Sequence, residues 1–307
     1  MNHGLLIRKY NKPSDDFFGG VSRSIGQEIQ NESGQWVEYL PITEKQDCPY
    51  FDTYSCISYS ALNCIEILEK YKWGANVNYS DRALAKMSGT TEQGNYMYLV
   101  ADTIRNVGVM DEQFWPFAGK TWNEYMSDIP ADTLSKVSLF HENYDVNYEF
   151  VQNKDIKEAL KYAPLQVMVY AWPKPVNDIY PDNPAKGRNH AVTLIGYKEN
   201  EYWLIFDHYE NFTKKLEWGY GFGGTIKYSI ELKNNNKPMI NNNTLCFNAT
   251  TGAFGLYLDG KMLIDKLDAV TATFIMRNNA NIVGMCMTMF QEDWIKYPAY
   301  NLKGQKI

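Results

Sequence analysis

Three side chains whose types can together perform nucleophilic acyl transfer stand out in this chain of 307 residues: Cys56, His190 and Asp207. Cys56 lies in FDTYSCISYSALNCIEIL, residues 51–68, between polar turn-formers (Asp52 to Ser55) and a long stretch of helical period. A thiol at a helix N-terminus meets the positive end of the helix dipole and free N–H groups, which favour the nucleophilic thiolate. The polar residues just before it predict partial exposure of the sulfur. The competing reading of a lone cysteine is a small buried core residue, and Cys64 in the same stretch is read that way.

A thiolate also needs a base. His190 opens the apolar run HAVTLIGY and Asp207 closes YWLIFD. If a turn centred between residues 198 and 199 joins the two runs as an antiparallel hairpin, paired residues have numbers that add to 397, as 190 and 207 do. Cross-strand neighbours are within reach of each other, and a turn displaced by a residue or two leaves them close. A carboxylate beside an imidazole fixes its tautomer and favours the imidazolium that pairs with a thiolate. The plainer alternative is a histidine that only caps a strand.

The elements that must position these groups follow from periodicity. Residues 57–71 carry Ile57, Ala61, Cys64, Ile65 and Leu68 on one helical face, with Thr53 and Ser55 as candidate N-caps. Residues 80–88 and 95–107 predict two further helices, and 155–162 a short fourth. The second half changes period: residues 166–172, 190–197 and 202–207 read as strands, and 219–230 as a Gly-rich loop entering another. Residues 1–34 read as an irregular arm, 35–232 as one domain, and 233–243, rich in Asn, as a linker. Residues 244–307 form a C-terminal extension with an amphipathic helix expected over 259–268. Helices followed by a mostly antiparallel sheet make an α+β fold with the site at the cleft between the halves.

Several stretches resemble the papain-like cysteine peptidases. The segment from Gln46 to Ser60 resembles that family's nucleophile segment, NHAVTLIGY its histidine segment, YWLIFDHY its third-residue strand, and GYGFGGTIKYSI its closing Gly-rich strand. YSDRALAKMSGTTEQGNYMYLVADTIRNVGV resembles its second and third helices. Cys56 and His190 are 134 residues apart, within the family's interval of about 130–150. The resemblance implies a two-lobe papain-like fold over residues 35–232. It implies Cys56 as nucleophile, His190 as base and then acid, and Asp207 where the family has an imidazole-orienting asparagine. Gln46 matches the glutamine that joins the Cys56 backbone N–H in an oxyanion hole, and Gly94 and Asn95 match the backbone that binds an extended peptide. The sequence departs from the pattern in its ten residues from Gln46 to Cys56, which leave Asp52 or a backbone N–H as rivals for the oxyanion. Ile57 replaces the usual aromatic, and His208 competes for the Asp207 carboxylate. Cys48 is not where the family's partner cysteine stands, so no disulfide is expected there. The FDT-x-x-C form resembles bacteriophage peptidases.

The implied activity is a cysteine endopeptidase acting on a polypeptide through an acyl-enzyme. Two alternatives stay open: a catalytically silent papain-fold structural or interaction protein, such as a virion component, and a cell-wall peptide endopeptidase using the same thiol chemistry. Trp294, Tyr297 and Tyr300 suit docking of a protein partner. A formal net charge of −6 argues against nucleic acid. No apolar run approaches the roughly 18 residues of a membrane helix, and no signal peptide is read, so cytoplasmic synthesis is expected. Five scattered cysteines without a C-x-x-C pair, and four histidines, give no metal-ligand pattern, and no metal or cofactor is expected.

Overall fold

The computed structural model describes residues 3–8, 15–19, 28–210 and 212–233, and the backbone of four strands between 244 and 288. The chain divides into two compact units, Met1–Glu231 and Leu232–Ile307. In the first unit, β1 (Leu5–Leu6) precedes the helices α1 (Cys56–Trp73) and α2 (Asp81–Met87). Then come β2 (Asn95–Tyr96) and α3 (Met97–Asn106), and the short helices α4 (Trp122–Tyr125), α5 (Ala131–Leu134) and α6 (Val137–Asn143). The sheet half follows: β3 (Tyr144–Phe150), the single-turn α7 (Ile156–Ala159), β4 (Leu165–Val169), β5 (Ile179–Tyr180), β6 (His190–Lys198), β7 (Tyr202–Phe206), β8 (Thr213–Glu217) and β9 (Thr225–Leu232). These strands form a seven-stranded sheet in the order β3-β9-β4-β6-β7-β8-β5, antiparallel from β9 to β8. This is the mixed α+β order read from the sequence: helices first, then a largely antiparallel sheet.

The expected helix over 57–71 is α1, but it buries far more than one face. Every residue from Cys56 to Glu69 is buried. A helix covered all round must lie at the centre of its domain, and α1 packs on β6 on one side and on α2 and α3 on others. Its first turn is pinned from the sheet. Gln166 of β4 donates to the carbonyl of Ile57 and to the Ser60 hydroxyl, both at 2.8 Å, and is itself held by the Tyr228 hydroxyl at 2.8 Å. The Thr193 hydroxyl of β6 donates to Ser60 O at 3.0 Å. These buried bonds fix the helix end that carries Cys56 relative to the strand that carries His190.

Several expectations are corrected. The fourth helix reduces to α7 with a 3-10 turn, Asn153–Asp155, before it. β3 and β8 were not expected: TKKLE is too charged to read as a strand, yet it pairs with β7. The hairpin closes around Asn200, which has φ 61°, a conformation asparagine tolerates. Lys198 therefore pairs with Tyr202, and an irregularity between Leu194 and Gly196 then shifts the register so that Thr193 pairs with Phe206. His190 and Asp207 are diagonal neighbours rather than a ladder pair, and His190 pairs instead with Val169 of β4.

The second unit holds a four-stranded sheet of β10 (Thr244–Asn248), β11 (Ala253–Leu258), β12 (Lys261–Leu267) and β13 (Gly284–Thr288), in the order β12-β11-β10-β13. The helix expected over 259–268 is thus overturned where it is described, because 261–267 is a strand antiparallel to β11. The Asp-Gly pair at 259–260 in the sequence is a strong hairpin signal that the helical reading overlooked. Trp294, Tyr297 and Tyr300 lie outside the described residues, as do residues 234–243 of the linker. No helix among the described residues is long and apolar enough to cross a membrane.

Candidate active site

Cys56 is the first residue of α1 and His190 the first of β6. The backbone N–H groups of Ala191, one residue past His190, and of Ile57 face the Cys56 sulfur and favour its thiolate. The partial exposure expected for Cys56 is overturned: it has no solvent-accessible surface. Burial pushes its thiol pKa well up, and the nearby Asp52 and Asp207 carboxylates push the same way. Ser55 occupies the N-cap position, but its hydroxyl donates to Thr53 O at 2.9 Å rather than capping the helix. Tyr54, two residues before the sulfur, has φ 51°. A bulky residue in that region is strained and is held there by its surroundings; here its N–H donates to Asp52 Oδ1 at 2.9 Å.

His190 Nε2 lies 2.7 Å from Asp207 Oδ1, with both side chains fully buried. Its Nδ1 has no hydrogen-bond partner. With the Nε2 proton directed at the carboxylate, Nδ1 carries a free lone pair, as a proton acceptor requires. Burial holds the His190 imidazolium pKa below its ordinary value; Asp207 opposes this and His3 adds to it. Asp207 is saturated. Its Oδ1 also accepts the His208 N–H at 2.8 Å, and its Oδ2 accepts Trp172 Nε1 at 3.0 Å and Lys214 Nζ at 2.7 Å. Against the cost of burial, His190, His208 and Lys214 together hold its carboxyl well below the usual carboxylate range. His208 does not compete for the carboxylate with its ring: Nε2 donates to Ala191 O at 3.0 Å, and burial pushes its pKa down to about 3.

The ligand atoms of His190, Asp207 and His208 lie within 4.8 Å of one another. They do not suit a metal ion, because four donors already fill both carboxylate oxygens and one of them is an ammonium. That positive charge would oppose a cation at the same spot.

Gln46 reaches the site despite its ten-residue separation from Cys56. Asp47 and Asp52 bridge, and the Thr53 N–H donates to Gln46 O at 3.2 Å, so residues 47–52 fold into a closed loop. Gln46 Nε2 donates to Asp52 Oδ1 at 2.7 Å and to the carbonyl of His3 at 3.2 Å. Asp52 itself is a poor rival for the oxyanion: it is a hydrogen-bond acceptor, kept ionised by His3, Tyr209 and Gln46 despite its burial.

Gly94 and Asn95 lie under the N-terminal arm. The Asn95 N–H donates to Gly4 O at 3.0 Å, and Leu5 and Leu6 pair in parallel with Asn95 and Tyr96. The His3 N–H donates to Asn189 O at 3.0 Å, next to His190. The His3 ring packs 5.6 Å from that of His190 and bonds the Tyr209 hydroxyl at 3.1 Å. Gly4 and Gly94 have φ +100° and +94°, and a Cβ on either would overlap the facing backbone. Only glycine permits this approach. The segment from His3 to Leu6 thus meets Gln46, Asn189 and Asn95, all through its main chain.

A papain family cysteine protease profile matches residues 35–246. The chain belongs to this family. Among solved structures, it resembles the bromelain protease from Ananas comosus, with a TM-score of 0.50 and 15% identity over 64% of this chain and 98% of that one. A clostridial cysteine protease after propeptide cleavage matches with a TM-score of 0.53 and 12% identity, over 65% of this chain and 57% of that one. A cysteine protease from Carica candamarcensis matches with a TM-score of 0.48 and 16% identity, over 64% and 96%. The first two likenesses show a shared fold. No curated protein matches the sequence at a significant level. Papain-family membership makes this chain a cysteine peptidase by homology.

Sequence reasoning missed Trp172, Asn189, Lys214 and the arm residues 3–6. A buried lysine in a charged strand and an irregular N-terminus carry no sequence signal of a site. Trp172 was visible only as the end of an apolar run.

Proposed function

We propose that the chain hydrolyses peptide bonds through Cys56, His190 and Asp207, by way of an acyl-enzyme. The observation that carries this reading is the arm itself: an extended stretch of main chain lies in the cleft with a peptide carbonyl, that of His3, against Gln46 Nε2. A substrate held in the same way would offer its scissile carbonyl to the same donor. With the arm displaced, the Cys56 proton passes to His190 Nδ1 and the sulfur attacks the carbonyl carbon. Charge developing on the carbonyl oxygen is met by Gln46 Nε2. The C–N bond then breaks, and His190 returns its proton to the departing amine, leaving a thioester. Water gives a proton to His190 and attacks the thioester, which releases the carboxylic acid and restores the thiol. Asp207 keeps the Nε2–H tautomer throughout. Gly94 and Asn95 bind the substrate main chain, and the arm must leave before any of this.

A second reading, a papain-fold protein with a silent site, is favoured by the complete burial of Cys56. One experiment separates them. A peptidyl epoxide is offered to the full chain and to a chain lacking residues 1–8, each with His190→Ala as control. A stoichiometric adduct on Cys56 in the shortened chain, lost in the control, supports the peptidase. No adduct in either form supports the silent protein.

A further inference from the structure

We infer that Lys214 is a positioning residue of this site, which together with Trp172 neutralises and orients Asp207 so that the carboxylate holds His190 without over-stabilising its imidazolium. The inference rests on reading His190 as the base. Lys214 comes from β8, seven residues after Asp207 and outside every motif, and its side chain is 3% exposed against 0% for Asp207. A lysine is seldom so buried unless paired. Its ammonium lies 2.7 Å from Asp207 Oδ2 and 2.9 Å from Glu210 O, and its Nζ lies 5.3 Å from the Trp172 ring centre. Trp172 in turn stands edge-on to His190, with ring centres 5.8 Å apart. One carboxylate thus bridges an imidazole on Oδ1 and an ammonium on Oδ2.

The consequence is electrostatic. A lone buried anion 2.7 Å from Nε2 would favour the imidazolium strongly, and an imidazolium too stable is a poor acid toward a leaving amine. The ammonium on the far oxygen offsets that anion while leaving its orienting hydrogen bond intact. The other groups facing His190 are His3, Asp52, His208 and Tyr209, with the Cys56 sulfur beside the backbone of the next residue, Ala191. None of these bonds Asp207 Oδ2.

The test is a titration of the His190 imidazole by NMR, assigned by its loss in His190→Ala, in the unaltered chain, Lys214→Met, Lys214→Arg and the double variant Asp207→Asn with Lys214→Met. Lys214→Met is expected to raise the His190 pKa by about one unit, because the compensating charge is gone. Lys214→Arg keeps the charge and is expected to leave the midpoint in place. The double variant removes both charges and is expected to reverse the rise; it also stands in if Lys214→Met alone does not fold, since it leaves no unpaired buried charge. In that case its midpoint is expected at or below that of Lys214→Arg. A rise in the double variant, or none in a folded Lys214→Met, overturns the inference. The acidic limb of kcat/KM, where the base becomes protonated, should move with the midpoint. The titration does not need activity: a shifted midpoint without hydrolysis would remove the peptidase reading alone, and hydrolysis without a shift would remove the role of Lys214 alone.

Discussion

Gly4→Ala should switch the site from covered to open. Gly4 has φ +100°, which side-chain-bearing residues rarely adopt, and a Cβ there would overlap the Tyr54 carbonyl and lie 2.7 Å from Tyr54 Cα. Tyr54 is itself strained and tied to Asp52, so it has little room to yield. The arm must then lift. Its anchors include three hydrogen bonds to its main chain: His3 to Asn189, Gln46 to His3, and Asn95 to Gly4. At about 1 kcal/mol each they are worth roughly 3 kcal/mol. Burial of Leu5, 4% exposed, offsets much of the backbone ordering. An equilibrium of about 3 kcal/mol leaves the cleft open in the order of 1% of molecules. Releasing the arm should therefore speed alkylation of Cys56 by up to about 100-fold. Opening also admits water, which relieves the burial that now pushes the Cys56 thiol up and the His190 imidazolium down. The assay is the rate of carboxamidomethylation at pH 7, read by peptide mass spectrometry, with buried Cys64 as internal control. Labelling of Cys56 in Gly4→Ala within twofold of the unaltered chain, with the fold intact, would refute the arm as the cover.

Three further outcomes are expected. Gln46→Ala should lower kcat by about 100- to 1,000-fold with KM little changed, as steady-state peptide hydrolysis by the arm-trimmed chain would show, because its amide acts on charge present only in the transition state. Glu66→Gln should stabilise the protein at neutral pH. Burial in α1 raises the Glu66 pKa to about 8, so the folded state binds a proton that the unfolded chain releases near pH 4.5. Stability from that group is present below about pH 4.5 and lost as pH rises toward 8, and the gain in the variant should approach roughly 3 kcal/mol at pH 7 and vanish at pH 4 in chemical unfolding. His208→Gln should act at the other end of the scale. The His208 pKa is pushed down to about 3, so its contribution is complete above about pH 6.5 and lost as pH falls toward 3. Thermal unfolding of the variant should decline less steeply across that window.

The residue types and their spacing were enough to point to the family and to a candidate site. Cys56 before a helical period, His190 and Asp207 at the ends of facing strands, and the order of the segments between them are local patterns, written in neighbours along the chain. They determined the α+β class, the boundaries of α1 to within about two residues, and the pairing of His190 with Asp207 even though the expected register was wrong. That pairing survived because a diagonal neighbour in a sheet is still within hydrogen-bond reach. What the sequence left undetermined depends on contacts between distant segments. Nothing local says that Trp172 would share the Asp207 carboxylate or that residues 3–6 would pack against Gln46, Asn95 and Asn189; Lys214 is only seven residues from Asp207, yet its burial there depends on what packs over both. Burial, and with it the direction of every pKa shift in the site, is a property of what packs over a group. Only the tertiary structure decides that, because the electrostatic cost of a charge is set by all of its surroundings and not by its neighbours in the chain.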